Sequence, residues 1–405
     1  MKKIQPSRIF LLTLIALLPV NLGKHFEFSG SYVYGNLIDY LVPTLYVQDI
    51  LALLLLIALI LERKRILLEG PIKKIAMFLG VLLLSSLFAS RALPSLWFFF
   101  RIFLYTVVGI YVYKWVDLKK EGRLIQKILA VQLLFVSVLA IAQFFVRGSV
   151  FDNYLFLGEQ PYSLSTPQIT KEVLLGRVFL PPMGLFRHPN ILSGYLAILL
   201  VFVVFWFPKN KLSIACLVLG MVAFLLTFSV FTWAAFFATL VLYKFLKDKR
   251  KIMYIYLLAA SLILLVPFFP FSSDNASFYR RDSLLAASYR IAGKFPVLGV
   301  GTNNFTSYVD DFQISNDIRF TQPVHNVFAL ILAESGIFAF FLFILIFFDS
   351  YSAAAKKGDV PLLLAFSAAL LLMSFDHYFW TIHQTTLILF ILFGLSWKHS
   401  YGQGK

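Results

Sequence analysis

The residue best suited to proton transfer is His325, which stands in residues 322–326 directly before a long apolar run. An imidazole titrates near neutral pH, as a general base must. Glu334 follows about two helical turns deeper in that run, and a carboxylate inside a membrane segment is a functional candidate because its burial is costly. The structural alternative is that His325 only caps the segment and Glu334 pairs with a polar neighbour.

A group of arginines could bind an anion. Residues 281–294 have the spacing of an amphipathic helix that lies on a membrane surface. Arg280, Arg281 and Arg290 lie in or beside this stretch, and a guanidinium fork matches phosphate oxygens. The alternative is a helix face that contacts only solvent or lipid headgroups.

Residues 184–190 form a third candidate, with Arg187, His188 and Asn190 around Pro189. Proline is tolerated in the first turn of a helix, and Asn190 could satisfy the free N–H groups there. An ordinary helix start explains the segment equally well.

Weaker signals lie elsewhere. Asp376, His377 and His383 stand between the last two apolar runs, where a metal site is conceivable, but without tight ligand spacing a solvated turn is favoured. Asp49 interrupts an apolar run without an evident partner. Arg101, near the outer end of another run, fits a snorkelling side chain.

The chain that positions these residues is largely apolar. Of its 405 residues, 60% are hydrophobic and 14% are charged, whereas about a quarter charged is usual for a soluble domain. At roughly 20 residues for each membrane helix, this content corresponds to about twelve spans. An ordinary cytosolic enzyme and a disordered chain are excluded, and the single cysteine, Cys216, excludes a disulfide-built protein. The predicted spans are 9–22, 41–61, 75–90, 96–116, 126–146, 188–207, 212–227, 230–246, 252–269, 326–348, 361–375 and 382–397.

The net charge of +16 is explained better by the positive-inside bias of membrane loops than by nucleic-acid binding. Basic residues concentrate in the termini and in alternate short loops, so both termini are predicted to be cytoplasmic. Two long polar segments, 147–187 and 270–325, then lie outside, and every other external connection is expected to be short. We predict one all-α polytopic membrane domain, residues 1–405, whose two long loops form a cap over an external active site.

These motifs together resemble the O-antigen ligase family, which includes O-antigen polymerase-like proteins. The most specific match is His325-Asn326, nine residues and then Gly336, with Ala339 where the family often has glycine, threonine or tyrosine. Residues 184–190 resemble the family's Gly-x-x-x-His-Pro-Asn segment. Arg281 followed by residues 296–301, and the closing residues 375–381, are also similar to segments of the family.

Two departures from the family concern arginines. Family members often have an arginine shortly before the first glycine of the His-Pro-Asn segment, whereas this chain has Pro-Pro-Met at 181–183, and Arg177 and Arg187 are the nearest candidates. A Ser-Arg pair that is common between two middle spans is Ser229-Val230 here.

The resemblance implies a GT-C-like, inverting membrane glycosyltransferase in the bacterial cytoplasmic membrane, with its active site on the periplasmic or outer side. Its donor would be a glycan on undecaprenyl pyrophosphate and its acceptor a sugar hydroxyl, such as one in lipid A core. No metal or other cofactor is expected. The roles implied are general base for His325, pyrophosphate binding for Arg280, Arg281, Arg290, Arg187 and Arg177, and support for Asn326, Glu334, His188, Asn190 and Asp376.

Two other functions stay open. A polymerase of the same family would join repeat units instead of delivering finished chains. A lipid or solute transporter would place ionisable groups near the membrane midplane in both halves, whereas here chiefly Asp49 and Glu334 lie deep in the predicted spans.

Overall fold

The computed structural model describes residues 5–167, 169–174, 176–246, 248, 251–265, 276–313 and 320–401. The predicted external loop 270–325 and the basic loop 247–251 therefore fall partly outside the described residues. Within that part of the chain, the helices are α1 (Pro6–Ala16), α2 (Val47–Leu61), α3 (Pro71–Leu87), α4 (Ala92–Trp115), α5 (Leu118–Val146), α6 (Pro189–Phe205), α7 (Lys211–Leu226), α8 (Val230–Phe245), α9 (Lys251–Leu265), α10 (Ala276–Lys294), α11 (Phe305–Phe312), α12 (Val327–Lys357), α13 (Val360–Phe375), α14 (Tyr378–Thr381) and α15 (His383–Tyr401).

Each of the twelve predicted apolar segments overlaps one of these helices, and residues 266–269 of the ninth segment lie outside the described residues. Three helices of the described chain, α4, α5 and α12, are long and apolar enough to cross a membrane, and seven further apolar helices have 10–17 residues. The chain is thus mostly helical, with the apolar helices of an all-α membrane protein. The number of twelve spans stays a prediction.

The largest departure from the predicted boundaries lies between α1 and α2. Residues 17–46, here called the N-terminal hairpin segment, contain β1 (Gly23–His25) paired with β4 (Thr44–Tyr46), and β2 (Tyr32–Val33) paired with β3 (Asn36–Leu37). The expectation of a short connection here is wrong, because α1 ends at Ala16 and α2 begins only at Val47. A third hairpin pairs β5 (Glu172–Leu174) with β6 (Arg177–Phe179) in the predicted loop 147–187.

Helices α6 and α13 form the interior of the molecule. Residues 191–203 of α6 and 362–374 of α13 are buried on all sides, as expected of helices that are apolar all round. The two helices pack against each other, and α13 also packs against α8, α9 and α12. The residues that cap α6 and α13 are therefore held at the ends of fully buried helices.

Helix α12 is broken at Gly336, which has φ 77° and ψ −177°. The loop 296–301 fills this break with its own backbone. The N–H groups of Val300 and Gly301 donate to the carbonyl oxygens of Ala333 and Glu334 at 3.1 and 2.8 Å. Farther along, the N–H of residue 337 donates to the carbonyl of residue 296 at 2.9 Å. The loop thus satisfies backbone groups that the break would leave unpaired.

The close approach of these two backbones explains two glycines of the sequence motifs. A Cβ on Gly336 would lie 2.0 Å from the carbonyl oxygen of Val297, and one on Gly299 would lie 2.3 Å from the carbonyl carbon of Glu334. Both glycines also have positive φ, which L side chains rarely adopt. The nine-residue spacing from Asn326 to Gly336 therefore sets the distance from the start of α12 to this contact.

A buried ion pair joins α2 to α4. Arg101 Nε donates to Asp49 Oδ1 and Oδ2 at 3.1 and 3.2 Å, and the Tyr105 hydroxyl donates to Oδ1 at 2.8 Å. Asp49 thus has partners that the sequence did not reveal, and the interpretation of Arg101 as a snorkelling side chain is wrong. The reason is that Asp49 lies within the reach of Arg101 inside the helix bundle.

We expect Gly336→Ala to destabilise the protein, because alanine would meet both the clash with Val297 and a backbone strain that costs about 1–3 kcal/mol. The matched control is Gly80→Ala in α3, where an added Cβ has no neighbour within 4 Å and alanine favours the helix by about 1 kcal/mol. The thermal unfolding midpoint of each purified variant in detergent gives the comparison. Equal midpoints for the two variants would contradict the interlocked contact.

Candidate active site

One cavity of about 910 Å³ collects most of the predicted site residues. It lies where α6 and α12 begin, where α13 ends, and beside the first half of α10. The side chains that line it include Tyr40, Arg187, His188, Asn190, Arg280, Arg281, His325, Asp376 and His377. Residues from the N-terminal hairpin segment and from the last quarter of the chain thus meet at one place.

His325 is positioned by the cap of α12. The Asn326 side chain accepts the N–H of Ala329 at 3.0 Å and donates to the carbonyl of Ser374 at 3.0 Å, which ties the start of α12 to the end of α13. Burial lowers the pKa of His325 to about 3, although Asp376 acts in the opposite direction. The imidazole is therefore neutral at physiological pH and has a free lone pair for a proton.

Asp376 and His377 follow directly from the end of α13. Asp376 accepts the backbone N–H of His377 at 2.8 Å and the side-chain amide of Asn190 at 3.3 Å. Burial alone would raise the pKa of Asp376, but the neighbouring His377, His325 and Arg281 lower it to about 2, so the carboxylate is ionised. The ring of His377 lies 5.3 Å from that of His325, edge to face.

The preferred interpretation of this turn as solvated is wrong. His377 and His383 are buried and Asp376 is half-buried, because the turn folds back under the N-terminal hairpin segment. The Tyr40 ring of that segment contacts His377 at a centroid distance of 5.6 Å. Sequence reasoning missed Tyr40, and it named His377 only as a conceivable metal ligand in a turn that it took to be solvated.

Arg281 sits at the boundary between the polar and apolar parts of the cavity. Its Nη1 donates to the carbonyl of Phe375 at 2.7 Å, and its guanidinium lies 5.2 Å from the centre of the Phe231 ring. Phe231 also stacks on Phe375 at 5.0 Å. Val230 and Phe278, which line the same edge, are exposed. A charged group and an exposed apolar edge therefore adjoin inside one cavity.

Arg187 is fixed on another side of the cavity. Its Nη2 donates to the Tyr46 hydroxyl at 3.0 Å and contacts His25 Nε2 at 3.1 Å. The Tyr46 ring stacks on His383 at 3.6 Å, and Arg101 lies 5.0 Å from its centre. The buried ion pair between α2 and α4 thus supports, through Tyr46, an arginine of the site.

Asp376 is also held by a chain of hydrogen bonds that runs through Asn190 to Ser229. The Ser229 hydroxyl donates to Asn190 Oδ1 at 3.0 Å, which orients the amide nitrogen of Asn190 toward the carboxylate. His188 Nδ1 accepts the backbone N–H of Asn190 at 3.1 Å. His188 Nε2 lies 3.0 Å from the Thr170 hydroxyl, so this second nitrogen carries the proton.

The structure does not bring every predicted residue to the cavity. Arg290 donates to the carbonyl of Phe312 at 2.9 Å and is exposed. Arg177 is exposed on β6. Glu334 is buried beneath the loop 296–301 and accepts the N–H of Phe305 at 3.1 Å. It thus pairs with a polar neighbour, as in the structural alternative to a functional role. None of these three residues lines the cavity.

A metal ion could be held by His325, Asp376 and His377. One donor atom from each lies within 4.8 Å of the others. Donors around a tetrahedral Zn²⁺ ion are about 3.5 Å apart, so the three side chains would have to move closer together. Of the described residues, this trio is where a metal ion fits best.

Comparison with known protein families supports the resemblance drawn from the motifs. A family model described as O-antigen ligase matches residues 191–344. The matched part includes Arg281, the loop 296–301, His325 and Gly336, and it ends before Asp376. The resemblance to the O-antigen ligase family is thereby confirmed over this part of the chain. No curated protein matches the chain.

We expect Asn326→Ala to lower the free energy of unfolding by about 2–4 kcal/mol, because it removes a helix cap and leaves the Ser374 carbonyl unpaired in a buried site. Asn210 provides a matched control. It caps α7 through the N–H of Ser213 at 2.9 Å but is exposed, so Asn210→Ala should cost about 1 kcal/mol. Unfolding midpoints in detergent measure both, and a larger loss at Asn210 would contradict the bridging role of Asn326.

Proposed function

We propose that this chain, whose residues 191–344 match the O-antigen ligase family, transfers a glycan from undecaprenyl pyrophosphate to a sugar hydroxyl. The acceptor is a surface glycan, such as lipid A core. The reaction takes place on the outer side of the bacterial cytoplasmic membrane, with both termini in the cytoplasm. The external loops and the N-terminal hairpin segment cover the active site of a single membrane domain.

The observation that carries this proposal is the order of chemical groups across the cavity. Exposed Val230 and Phe278 lead to Phe231, then to Arg281, and then to the imidazole of His325. A polyprenyl diphosphate glycan has the same order: an apolar tail, a diphosphate and a sugar. The guanidinium adjoins the aromatic edge, which suits the junction between the tail and the diphosphate.

In the proposed reaction, the acceptor hydroxyl loses its proton to His325 as its oxygen attacks the anomeric carbon of the donor sugar. The bond from that carbon to the diphosphate oxygen breaks, and the configuration inverts. Arg280, Arg281 and Arg187 stabilise the negative charge that develops on the leaving diphosphate. Asp376, ionised nearby, stabilises the imidazolium that forms on His325. These arginines supply the positive charge, so the reaction needs no divalent metal.

The contacts of the two deep carboxylates argue against a transporter. Asp49 is paired with Arg101, and Glu334 accepts a backbone N–H. Neither lines the cavity. Uptake by proteoliposomes that contain no glycan acceptor would favour transport instead.

A polymerase of the same family remains the nearest alternative, since it would need the same base and the same diphosphate site. Analysis of the carrier lipid in a deletion strain separates the two functions. Long polymer on the carrier indicates a ligase, and single repeat units indicate a polymerase. A carrier pool that is unchanged would contradict both.

We expect Arg281→Ala to reduce glycan transfer by about 10²–10³-fold, as for loss of a group that stabilises developing charge. The matched control is Arg290→Ala on the same helix, which removes a guanidinium outside the cavity and should retain most activity. His325→Gln should reduce transfer by about 10²–10⁴-fold. Transfer by purified protein in nanodiscs measures all three variants, and EDTA should leave the wild-type rate unchanged.

Normal transfer by a correctly inserted His325→Gln variant would show that the base is another residue. Equal losses for Arg281→Ala and Arg290→Ala would show that the cavity does not define the diphosphate site. Loss of wild-type activity in EDTA that Zn²⁺ restores would indicate a metal held by His325, Asp376 and His377.

The low pKa of His325 predicts the pH dependence. Because burial lowers this pKa from 6.5 to about 3, the imidazole remains unprotonated as the pH falls from 8 to 5. The value of kcat/KM, which reports the free enzyme, should therefore show no decline with a midpoint near 6.5. Rates across this pH range test the point, and a midpoint between 6 and 7 would contradict the buried, neutral base.

A further inference from the structure

A second depression, here called the outer groove, lies beside the candidate active site. It is lined by residues 28–30 of the N-terminal hairpin segment, residues 90–94 at the start of α4, and residues 307, 308 and 311 of α11. Its volume of about 570 Å³ is within the range of pockets that bind small ligands. None of the residues that act in the proposed reaction lines this groove.

The lining of the outer groove combines aromatic and polar side chains. Phe28 and Tyr308 provide aromatic faces, and Arg91 and Asp311 provide charged groups. The Ser307 hydroxyl is buried without a hydrogen-bond partner among the described residues. A sugar ring presents apolar C–H faces and a rim of hydroxyl groups. Aromatic faces next to planar charged groups and hydroxyls match both parts of it.

The walls of the outer groove are tied to one another. Arg91 Nη1 donates to the carbonyl of Gly30, and the backbone N–H of Arg91 donates to Asn304 Oδ1 at 3.1 Å. The Tyr34 hydroxyl donates to Asp311 Oδ1 at 3.0 Å. Three segments that are far apart in the sequence thus form one preorganised surface.

The outer groove is connected to the active site through the hydrogen bonds of residues 303 and 304. Asn304, which holds Arg91, follows Asn303, whose side chain donates to the carbonyl of Tyr40 at 2.7 Å. The Tyr40 ring in turn contacts His377. The same loop thus contacts both the wall of the outer groove and the Tyr40 backbone beside the active site.

A small chamber of about 40 Å³ shares lining residues with both spaces. Pro94 lines both this chamber and the outer groove, while Asp39, Tyr40 and Arg187 line both the chamber and the large cavity. The edge at Asp39 and Tyr40 is distinct from the apolar edge formed by Val230, Phe231 and Phe278. The edge at Asp39 and Tyr40 adjoins the polar side chains of the chamber.

We infer that the outer groove binds the sugar chain of the acceptor and presents its reactive hydroxyl to His325. This inference rests on the proposed glycosyl transfer. It assigns two different entrances, the apolar edge for the lipid-linked donor and the outer groove for the acceptor. Tyr308 and Asp311 are then specificity-determining residues for the acceptor glycan.

Steady-state transfer by the full chain in nanodiscs tests the inference, with a polyprenyl diphosphate-linked glycan as donor and a soluble oligosaccharide acceptor. Tyr308→Leu and Asp311→Asn should each raise KM for the acceptor by roughly three- to tenfold, as expected for the loss of one aromatic or charged contact. KM for the donor should not change. The matched controls are Tyr254→Leu, an exposed tyrosine of α9, and Asp152→Asn, an exposed aspartate that also accepts one hydroxyl hydrogen bond. Neither should alter either KM.

An unchanged acceptor KM in both groove variants would overturn the inference, and so would a rise in donor KM alone, since the groove would then bind the donor glycan. Asp311→Asn preserves the shape of the side chain, so it remains informative if Tyr308→Leu unfolds the protein. Failure of the proposed function has a different outcome. In that case wild-type protein would transfer no glycan, or His325→Gln would transfer it at the normal rate.

Discussion

The interlock between the break in α12 and the loop 296–301 is the contact on which the site depends. At Gly336 the helix gives up its own hydrogen bonds, and the loop replaces them with Val300 and Gly301. Because this loop follows α10, the contact fixes the helix of Arg281 relative to the helix that begins beside His325. The proposed base and a cation from separate segments are thereby held in fixed relative positions, and preorganisation of this kind is what electrostatic catalysis requires.

The site combines buried charge with a supporting set of hydrogen bonds at each position. Asp376 accepts a hydrogen bond from Asn190, which in turn accepts one from Ser229. Arg187 donates a hydrogen bond to Tyr46, whose ring packs between Arg101 and His383. Buried polar groups are costly unless they are paired. The supporting residues lie in the apolar helices or their caps, so the membrane domain is part of the site and is more than an anchor for it.

The sequence predicted the positions of the apolar helices well, because long runs of apolar residues between basic loops need no tertiary information. It also identified His325, Arg281 and Asn190, which carry motif spacing. The sequence did not predict which residues face the cavity, because that depends on contacts between segments that are distant in the chain. Arg290 and Arg281 are equivalent in an amphipathic pattern, yet only Arg281 faces the cavity. Tyr40 gave no signal, since its role arises from a hairpin segment whose existence depended on where α1 ends.

The pairing of Asp49 with Arg101 also constrains how the protein is made. Asp49 lies in the first turn of α2, and its carboxylate finds its cation, Arg101, only when α4 packs against α2. Neither helix is electrically neutral as a separate insertion unit. Each charge is therefore neutralised only by assembly of α2 with α4, so this one ion pair links the correct packing of the two helices to the removal of both buried charges.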